Sequence, residues 1–233
     1  MAVLDVASGS GEPAISLARA VGPQGRVTAT DLVDGRVAIA AQNAREAGMA
    51  NLYFRQADVH SLPFADQTFD LVTCRFGIMF FSDPVGALRE CRRVLKPGCR
   101  VVFASWGPPG EHGYFRAATE ILLRNSRLSA EESGALTPFK FSAPGSLSAV
   151  LVEAGFQGMV EQSLAVPLPF PGSPEEFWNY REEMSPPFRP MFEGVLAERQ
   201  QQVKDQVLQA VREYSDGRQL NFSAVIQVAS GAR

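Results

Sequence analysis

Two hydrophobic periods alternate along the first hundred residues, and each change of period marks a new element. Residues 2–6 are apolar except for Asp5, the pattern of a buried strand. Residues 12–21 then bring Ala14, Ile15, Leu17, Ala18 and Val21 onto one face at helical spacing. Between them, Gly9-Ser10-Gly11 predicts a turn in which the backbone can approach a ligand and offer N–H groups at a helix N-terminus. A second strand, 26–30, follows the Gly22-Pro23-Gln24-Gly25 turn and ends in Asp31, with Asp34 expected to cap the next helix. A third, 51–56, leads into Ala57-Asp58-Val59, and after the loop 60–67 an apolar fourth covers 68–74. Asp83 predicts an N-cap and Pro84 the first position of a helix with apolar Val85, Leu88, Cys91 and Leu95. Lys96-Pro97-Gly98 stops it before a fifth strand at 100–106.

Beyond Trp106 the pattern loosens. The loop 107–113, an apolar helix at 114–123, a helix at 146–154 ended by Gly155 and a strand at 158–170 come next. Helical stretches at 175–183 and 192–214, joined through Ser185-Pro186-Pro187, precede a last strand at 220–228. Strands alternating with helices predict an α/β fold with a Rossmann-like doubly wound sheet. With 233 residues, 45% of them hydrophobic, one domain over 1–233 is expected, with a ligand-binding core at 1–106 and a helical insertion at 167–219.

The glycine turn by itself also fits the GxGxxA fingerprint of dinucleotide-binding folds, through Gly9, Gly11 and Ala14. A nicotinamide-dependent oxidoreductase is therefore one reading. Asp5 and Glu12, however, bracket the turn and would repel a pyrophosphate. An acidic mouth suits a cationic ligand without phosphate, such as S-adenosylmethionine, although a carboxylate at Asp5 can also simply cap its own turn. Asp31 lies about 20 residues past the turn, where a carboxylate can accept hydrogen bonds from both ribose hydroxyls of an adenosine.

At this point the chain resembles the class I S-adenosylmethionine-dependent methyltransferases, and within them the ubiquinone/menaquinone-biosynthesis-type group. Leu4-Asp5-Val6-Ala7-Ser8-Gly9-Ser10-Gly11, Asp31, Ala57-Asp58-Val59, Leu62-Pro63-Phe64, Phe69-Asp70-Leu71-Val72 and Arg93-Val94-Leu95-Lys96-Pro97-Gly98 carry the resemblance. It implies a mostly parallel sheet whose C-terminal strand is antiparallel beside the fifth. It also implies that Asp5, Ala7, Ser8, Gly9 and Gly11 wrap the methionine part of the cofactor and that Asp31 binds its ribose. Asp58, next to Ala57, would meet the adenine amino group, Leu32 and Val59 would sandwich the ring, and Cys74, Arg75 and Phe76 would face the methionine end. Ala7 stands where the family most often has glycine. Relatives carry helices before the first strand, whereas Met1 directly precedes it here. Such a lid is expected to have been lost from the start, to be supplied by a second copy in a homo-oligomer, or to be missing from a catalytically silent binding module.

The resemblance further implies an insertion that helps to cover a small-molecule methyl acceptor. Phe76, Trp106, Trp178 and Phe188 are the candidate acceptor residues, with Phe177, Tyr180, Met184, Met191 and Phe192 nearby in sequence. Packing of the insertion is the competing role for each of them. The sixteen phenylalanines favour an apolar or aromatic acceptor, methylated at O, C or N. His112, on the loop after the fifth strand, is the candidate base, although an exposed loop histidine is the simpler expectation. Cys74-Arg75-Phe76-Gly77 replaces the Asn/Asp-Pro-Pro-Tyr-like motif of enzymes that methylate base amines or glutamine amides.

The remaining composition narrows the picture. Net charge is −3, and the basic group Arg89, Arg92, Arg93 and Lys96 is expected to form a solvated helix face, so no nucleic-acid partner is predicted. Cys74, Cys91 and Cys99 form no CxxC pair and fit reduced thiols in a cytoplasmic protein. His60 and His112 lack clustered partners, so no metal is expected. No apolar run is long enough to predict a membrane span.

Overall fold

The computed structural model describes residues 1–233. In chain order the elements are β1 (Ala2–Val6), α1 (Ala14–Val21), β2 (Arg26–Asp31), α2 (Asp34–Glu46), β3 (Leu52–Gln56), β4 (Phe69–Arg75), α3 (Pro84–Val94) and β5 (Leu95–Trp106). They continue as α4 (Glu120–Asn125), α5 (Ser146–Glu153), β6 (Gln157–Phe170), α6 (Pro174–Met184), α7 (Phe188–Glu193), α8 (Gln200–Arg212) and β7 (Leu220–Ala232).

The strands form one seven-stranded sheet in the order β3-β2-β1-β4-β5-β7-β6. The pairs β1/β2, β1/β4, β2/β3 and β4/β5 are parallel. β7 runs the other way beside β5: Gly107 N donates to Val225 O, and Arg233 N to Cys99 O, so one partner advances as the other recedes. The strand order reverses between β1 and β4, and the loops leaving the carboxyl ends of these two strands flank the switch point where ligands bind in open α/β sheets.

The chain divides into two compact units, residues 1–105, 143–162 and 227–233 in the first, 106–142 and 163–226 in the second. Within the first, Val3, Ala14, Ile15, Ala18, Val27 and Ala29 are buried together, joining β1 and β2 to α1. Within the second, Phe177, Trp178, Phe188, Met191, Val207 and Phe222 are buried together. α6 starts with a full capping box: Ser173 Oγ accepts from Glu176 N, and Glu176 Oε2 accepts from Ser173 N, with Pro174 at the first position.

Several local expectations are corrected. Asp34 opens α2 but does not cap it; Val33 holds that position and its N–H is taken by Asp31 Oδ1 at 3.0 Å. Lys96-Pro97-Gly98 ends α3 but already belongs to β5, whose pairing with β4 jumps from Phe69↔Leu95 to Leu71↔Arg100. The basic group on α3 is a solvated face only in part: Arg89 is exposed, but its neighbours are engaged. The Arg93 guanidinium donates to Glu90, Asp66 and the carbonyls of Leu62 and Phe64, tying down the loop before β4, and Lys96 pairs with Asp70 at 2.7 Å. The long helix expected at 192–214 is broken, because Val195 bridges Ser126 and Leu196 is extended before α8 begins. The helix after the loop 107–113 contains a π-helical stretch, Phe115–Thr119, whose wider turn the periodicity of single residues does not reveal.

Candidate active site

Asp5 lies on β1 with no solvent exposure, in register with Thr73 of the neighbouring β4. Thr73 Oγ1 donates to Asp5 Oδ1 at 2.6 Å, while Oδ2 has no partner. Burial pushes the Asp5 carboxyl up to about 7, and the Thr73 hydrogen bond and the Arg75 charge offset this only in part. Ser8 follows as a second buried group with an unclaimed oxygen: its N–H donates to Thr30 O at 2.9 Å, but its hydroxyl has no partner.

The backbone between them is held in unusual conformations. Ala7 has φ 54°, Gly9 56° and Gly11 110°. For Ala7 the left-handed region is strained, which explains why glycine is the more common choice there. A Cβ on Gly9 would meet nothing within 4 Å, so the turn borders open space. Asp31 fixes that turn from the end of β2, since its Oδ2 accepts from Gly9 N at 2.9 Å and its Oδ1 from Val33 N. The residue is thus not free for ligand work alone: it shapes the loop, and its remaining lone pairs are what a ribose can use.

The other sequence candidates in this unit fall on the same carboxyl ends. Ala57 N donates to Asp31 O at 3.0 Å, placing the Ala57-Asp58-Val59 segment beside β2. Asp58 is exposed, and one oxygen accepts from His60 N and His60 Nδ1; these contacts hold its carboxyl below the usual range. Leu32 is 63% exposed, which leaves its side chain free to cover a flat ring. Phe76 leaves β4 at φ 59°, again left-handed, with its N–H on Ala104 O. Gly77 follows it because a Cβ there would lie 2.5 Å from the Ala7 Cβ and 2.8 Å from the Cys74 sulfur. The two switch-point loops are therefore packed on each other, each with a strained non-glycine residue, a feature that concentrates at functional sites. Burial pushes the Cys74 thiol well up, which leaves it unreactive. Arg75 is exposed and donates to Glu12 O at 3.1 Å.

His112, Trp106, Trp178 and Phe188 belong to the second unit. His112 is not an exposed loop histidine. It has no solvent exposure and is boxed by the rings of Trp106, Tyr114 and Phe139 at centroid distances of 5.4, 5.7 and 5.1 Å. Its Nε2 lies 3.2 Å from Gly107 O, and Nδ1 makes no hydrogen bond, although the Val225 backbone is near enough to favour the cation slightly. Burial outweighs both carbonyls and lowers its pKa, favouring a neutral ring that donates from Nε2 and keeps the Nδ1 lone pair. Trp178 and Phe188 are 1% and 0% exposed and stack edge-on at 5.1 Å, so in this structure they carry packing. Sequence reasoning missed Thr73 and Gly77; a threonine opposite Asp5 in an otherwise apolar strand was the available signal.

The fit to a nucleoside sulfonium rests on the chemistry of these groups. An adenosine needs a carboxylate at the ribose and an apolar cover for its base, and a methionine ammonium needs buried oxygen acceptors. Asp31, Leu32, and the unclaimed Asp5 Oδ2 and Ser8 Oγ are of those kinds. Fold and residues together define a class I methyltransferase-type cofactor site, and S-adenosyl-L-methionine is the cofactor.

Comparison with known proteins narrows the class. The family described as a methyltransferase domain matches residues 4–103. The ubiquinone/menaquinone biosynthesis C-methyltransferase UbiE of Idiomarina loihiensis is 39% identical over 110 residues, 47% of this chain and 44% of that protein. The enzyme of the same name from Cronobacter sakazakii is 31% identical over 170 residues, 67% of this chain and 66% of that protein. The chain thus spans about half the length of most of the curated relatives it matches. Among solved structures, a Bacillus halodurans protein described as a candidate methyltransferase superposes with a TM-score of 0.62 at 23% identity, covering 99% of this chain and 91% of the other. A phosphoethanolamine N-methyltransferase of Haemonchus contortus, solved with S-adenosyl-L-methionine, gives 0.57 at 16% identity, covering 100% and 48%. At these identities the structural likenesses bear on the fold. The chain belongs to the class I S-adenosylmethionine-dependent methyltransferases and is of the ubiquinone/menaquinone-biosynthesis type.

Proposed function

We propose that this protein transfers the methyl group of S-adenosylmethionine to a small organic acceptor with an apolar or aromatic body. The observation that carries the reading is the buried, half-satisfied Asp5 at the lip of a glycine turn on the switch point, because it favours a cationic and non-phosphorylated ligand. The cofactor supplies an electrophilic sulfonium methyl. The chain supplies position: Asp31 holds the turn through Gly9 N and offers lone pairs to ribose hydroxyls, while Asp5 and Ser8 receive the amino-acid end. Leu32 and Val59 cover the base, Asp58 accepts from its amino group, and Cys74, Arg75 and Phe76 place the β4 loop at the methionine end.

Alignment of an acceptor atom with the methyl is worth about 7–11 kcal/mol of barrier lowering, so the transfer requires no covalent intermediate. Where the acceptor loses a proton, His112 is the assigned base: burial favours its neutral form and Gly107 leaves the Nδ1 lone pair unused. Trp106, beside His112, shapes the acceptor side of the second unit, and the buried Trp178 and Phe188 support that unit by packing. The free thiols Cys74, Cys91 and Cys99 support a cytoplasmic location, and no helix is long and apolar enough to cross a membrane.

Calorimetry with S-adenosylmethionine and with NAD, followed by label transfer to quinone precursors, phenols and small amines, tests the reading. Binding of S-adenosylmethionine with transfer to at least one aromatic acceptor is expected. Binding of NAD instead would make it an oxidoreductase, and tight binding without transfer to any acceptor would make it a silent module.

A further inference from the structure

Arg181 is the one lysine or arginine with a nitrogen that is buried and makes no hydrogen bond. It sits on α6, partly buried, and its Nε is shut off from solvent with no hydrogen-bond partner. Its only hydrogen bond is a long one, from a terminal nitrogen to Thr119 Oγ1 at 3.4 Å. It forms no ion pair, and no carboxylate is near enough to affect its charge; only Tyr114 and Tyr180 do so. Instead it lies over the Tyr114 ring at 5.0 Å and the Phe188 ring at 5.6 Å. The other partly buried arginines each have a close polar partner: Arg92 donates to Gly155 O at 3.1 Å and Arg100 to Gly158 O at 2.8 Å. Arg93 and Arg212 are paired with carboxylates at 2.7–2.8 Å.

Desolvating a guanidinium without a counter-ion is unfavourable, and two aromatic faces offset only part of the loss. A ligand anion would complete such a group. Two further features of the same place support this. The Tyr114 hydroxyl makes no hydrogen bond, and Thr119 ends the π-helical stretch Phe115–Thr119, an irregularity that frequently marks ligand sites. With no second cation beside it, Arg181 balances one negative charge, and its planar fork matches a carboxylate.

We propose that Arg181, with Tyr114 and Thr119, is a specificity site in the second unit that takes the carboxylate of a small aromatic acid. Resting on the methyl-transfer reading above, the inference makes an aromatic carboxylate the methyl acceptor. Arg181 binds the carboxylate through its fork, the Tyr114 hydroxyl donates a further hydrogen bond, and the Tyr114 ring borders the bound ring.

The test is calorimetric titration of the whole protein with 4-hydroxybenzoate and with neutral 4-hydroxybenzamide, with S-adenosylmethionine titrated separately. The benzoate is expected to bind at least tenfold more tightly than the benzamide. Arg181→Met is expected to abolish that preference while changing cofactor affinity less than twofold. Because no ion pair is lost, its thermal midpoint in the absence of ligand is expected to be no lower than the parent's. Should Arg181→Met fail to fold, Tyr114→Phe keeps the inference testable, since removing one hydroxyl is expected to weaken the benzoate severalfold and leave the benzamide unchanged. Equal binding of the two probes by a parent that binds cofactor overturns the inference, as does an unchanged preference in either variant. Benzoate binding that depends on Arg181 in a protein that binds no S-adenosylmethionine would instead remove the methyl-transfer reading and leave the anion site standing.

Discussion

Replacing Asp5 by Asn separates the cost of that carboxylate from its use. In the ligand-free protein its pKa is raised from 3.8 to about 7, chiefly by burial. Since each pK unit corresponds to ~1.4 kcal/mol, ionising Asp5 in place takes up to about 4 kcal/mol from stability. The raised value fixes the direction. The folded state holds the proton more tightly than the unfolded chain, so stability is greatest below pH ~4, declines as pH rises to ~7, and is level above that. Asp5→Asn keeps shape and Thr73 contact but removes this slope. It is therefore expected to raise the thermal midpoint at pH 8 by about 3–10 °C and to change it little at pH 4. Cofactor binding moves oppositely. If the ligand's ammonium pairs with Asp5 as proposed, it needs the ionised carboxylate, so parent affinity is expected to fall toward tenfold per pH unit below ~7. The variant is expected to bind roughly 10–100-fold more weakly at pH 8, with no such pH dependence, as a lost charge-assisted hydrogen bond amounts to about 1.5–3 kcal/mol. S-adenosylhomocysteine keeps the ammonium and is expected to follow the same pH curve. Calorimetry from pH 5.5 to 8, beside thermal melts of both proteins, measures all of this. A parent affinity that is flat with pH, or a variant that binds as well as the parent, refutes the role given to Asp5.

Asp31→Ala removes the acceptor of Gly9 N and Val33 N; cofactor affinity measured by calorimetry is expected to drop by roughly 10–100-fold, with about 1–3 kcal/mol of stability lost in denaturant melts. Gly77→Ala is expected to cost more than about 2 kcal/mol, because its new Cβ would meet the Ala7 Cβ at 2.5 Å; adding Ala7→Gly is expected to restore part of this, with a coupling of about 1 kcal/mol or more in the double-mutant cycle. Trp178→Ala is expected to lower stability by about 3–5 kcal/mol without changing cofactor affinity per folded molecule; a stable variant with only a raised acceptor KM would make Trp178 a pocket residue. Arg93→Met is expected to make the loop 58–68 susceptible to limited proteolysis, because the guanidinium holds the Leu62 and Phe64 carbonyls.

The first half of the sheet was legible because burial there is continuous along the strands. β1, β2 and β4 are covered on both faces and read as apolar runs, and the polar residues that interrupt or end them, Asp5 and Asp31, stand out for that reason. α3 announced itself through Asp83, whose side chain accepts from Gly86 N at 2.9 Å, and Pro84. The candidate cofactor residues were readable for the same cause: strand ends fix their place, and only their partners were hidden. That Asp31 holds Gly9 N, or that Thr73 meets Asp5, depends on register between strands far apart in sequence.

In the second half the same kind of reasoning loses its grip, for a specific physical reason. Periodicity reports which face of an element is apolar and says little about what a polar residue on that element meets. His112 looked exposed because its loop is rich in glycine and proline, yet Trp106, Tyr114 and Phe139 enclose it from three directions. Arg93 looked like one of several solvated cations, but carboxylates and carbonyls surround it. Arg181 was the hardest case. Its sequence neighbours Glu182 and Glu183 are acids, but helical geometry points adjacent residues in different directions. The fold turns the arginine toward Tyr114 and Phe188, away from those carboxylates. Its missing partner is a property of the tertiary structure alone, and it gives the second unit a chemical preference that the pattern of residues did not contain.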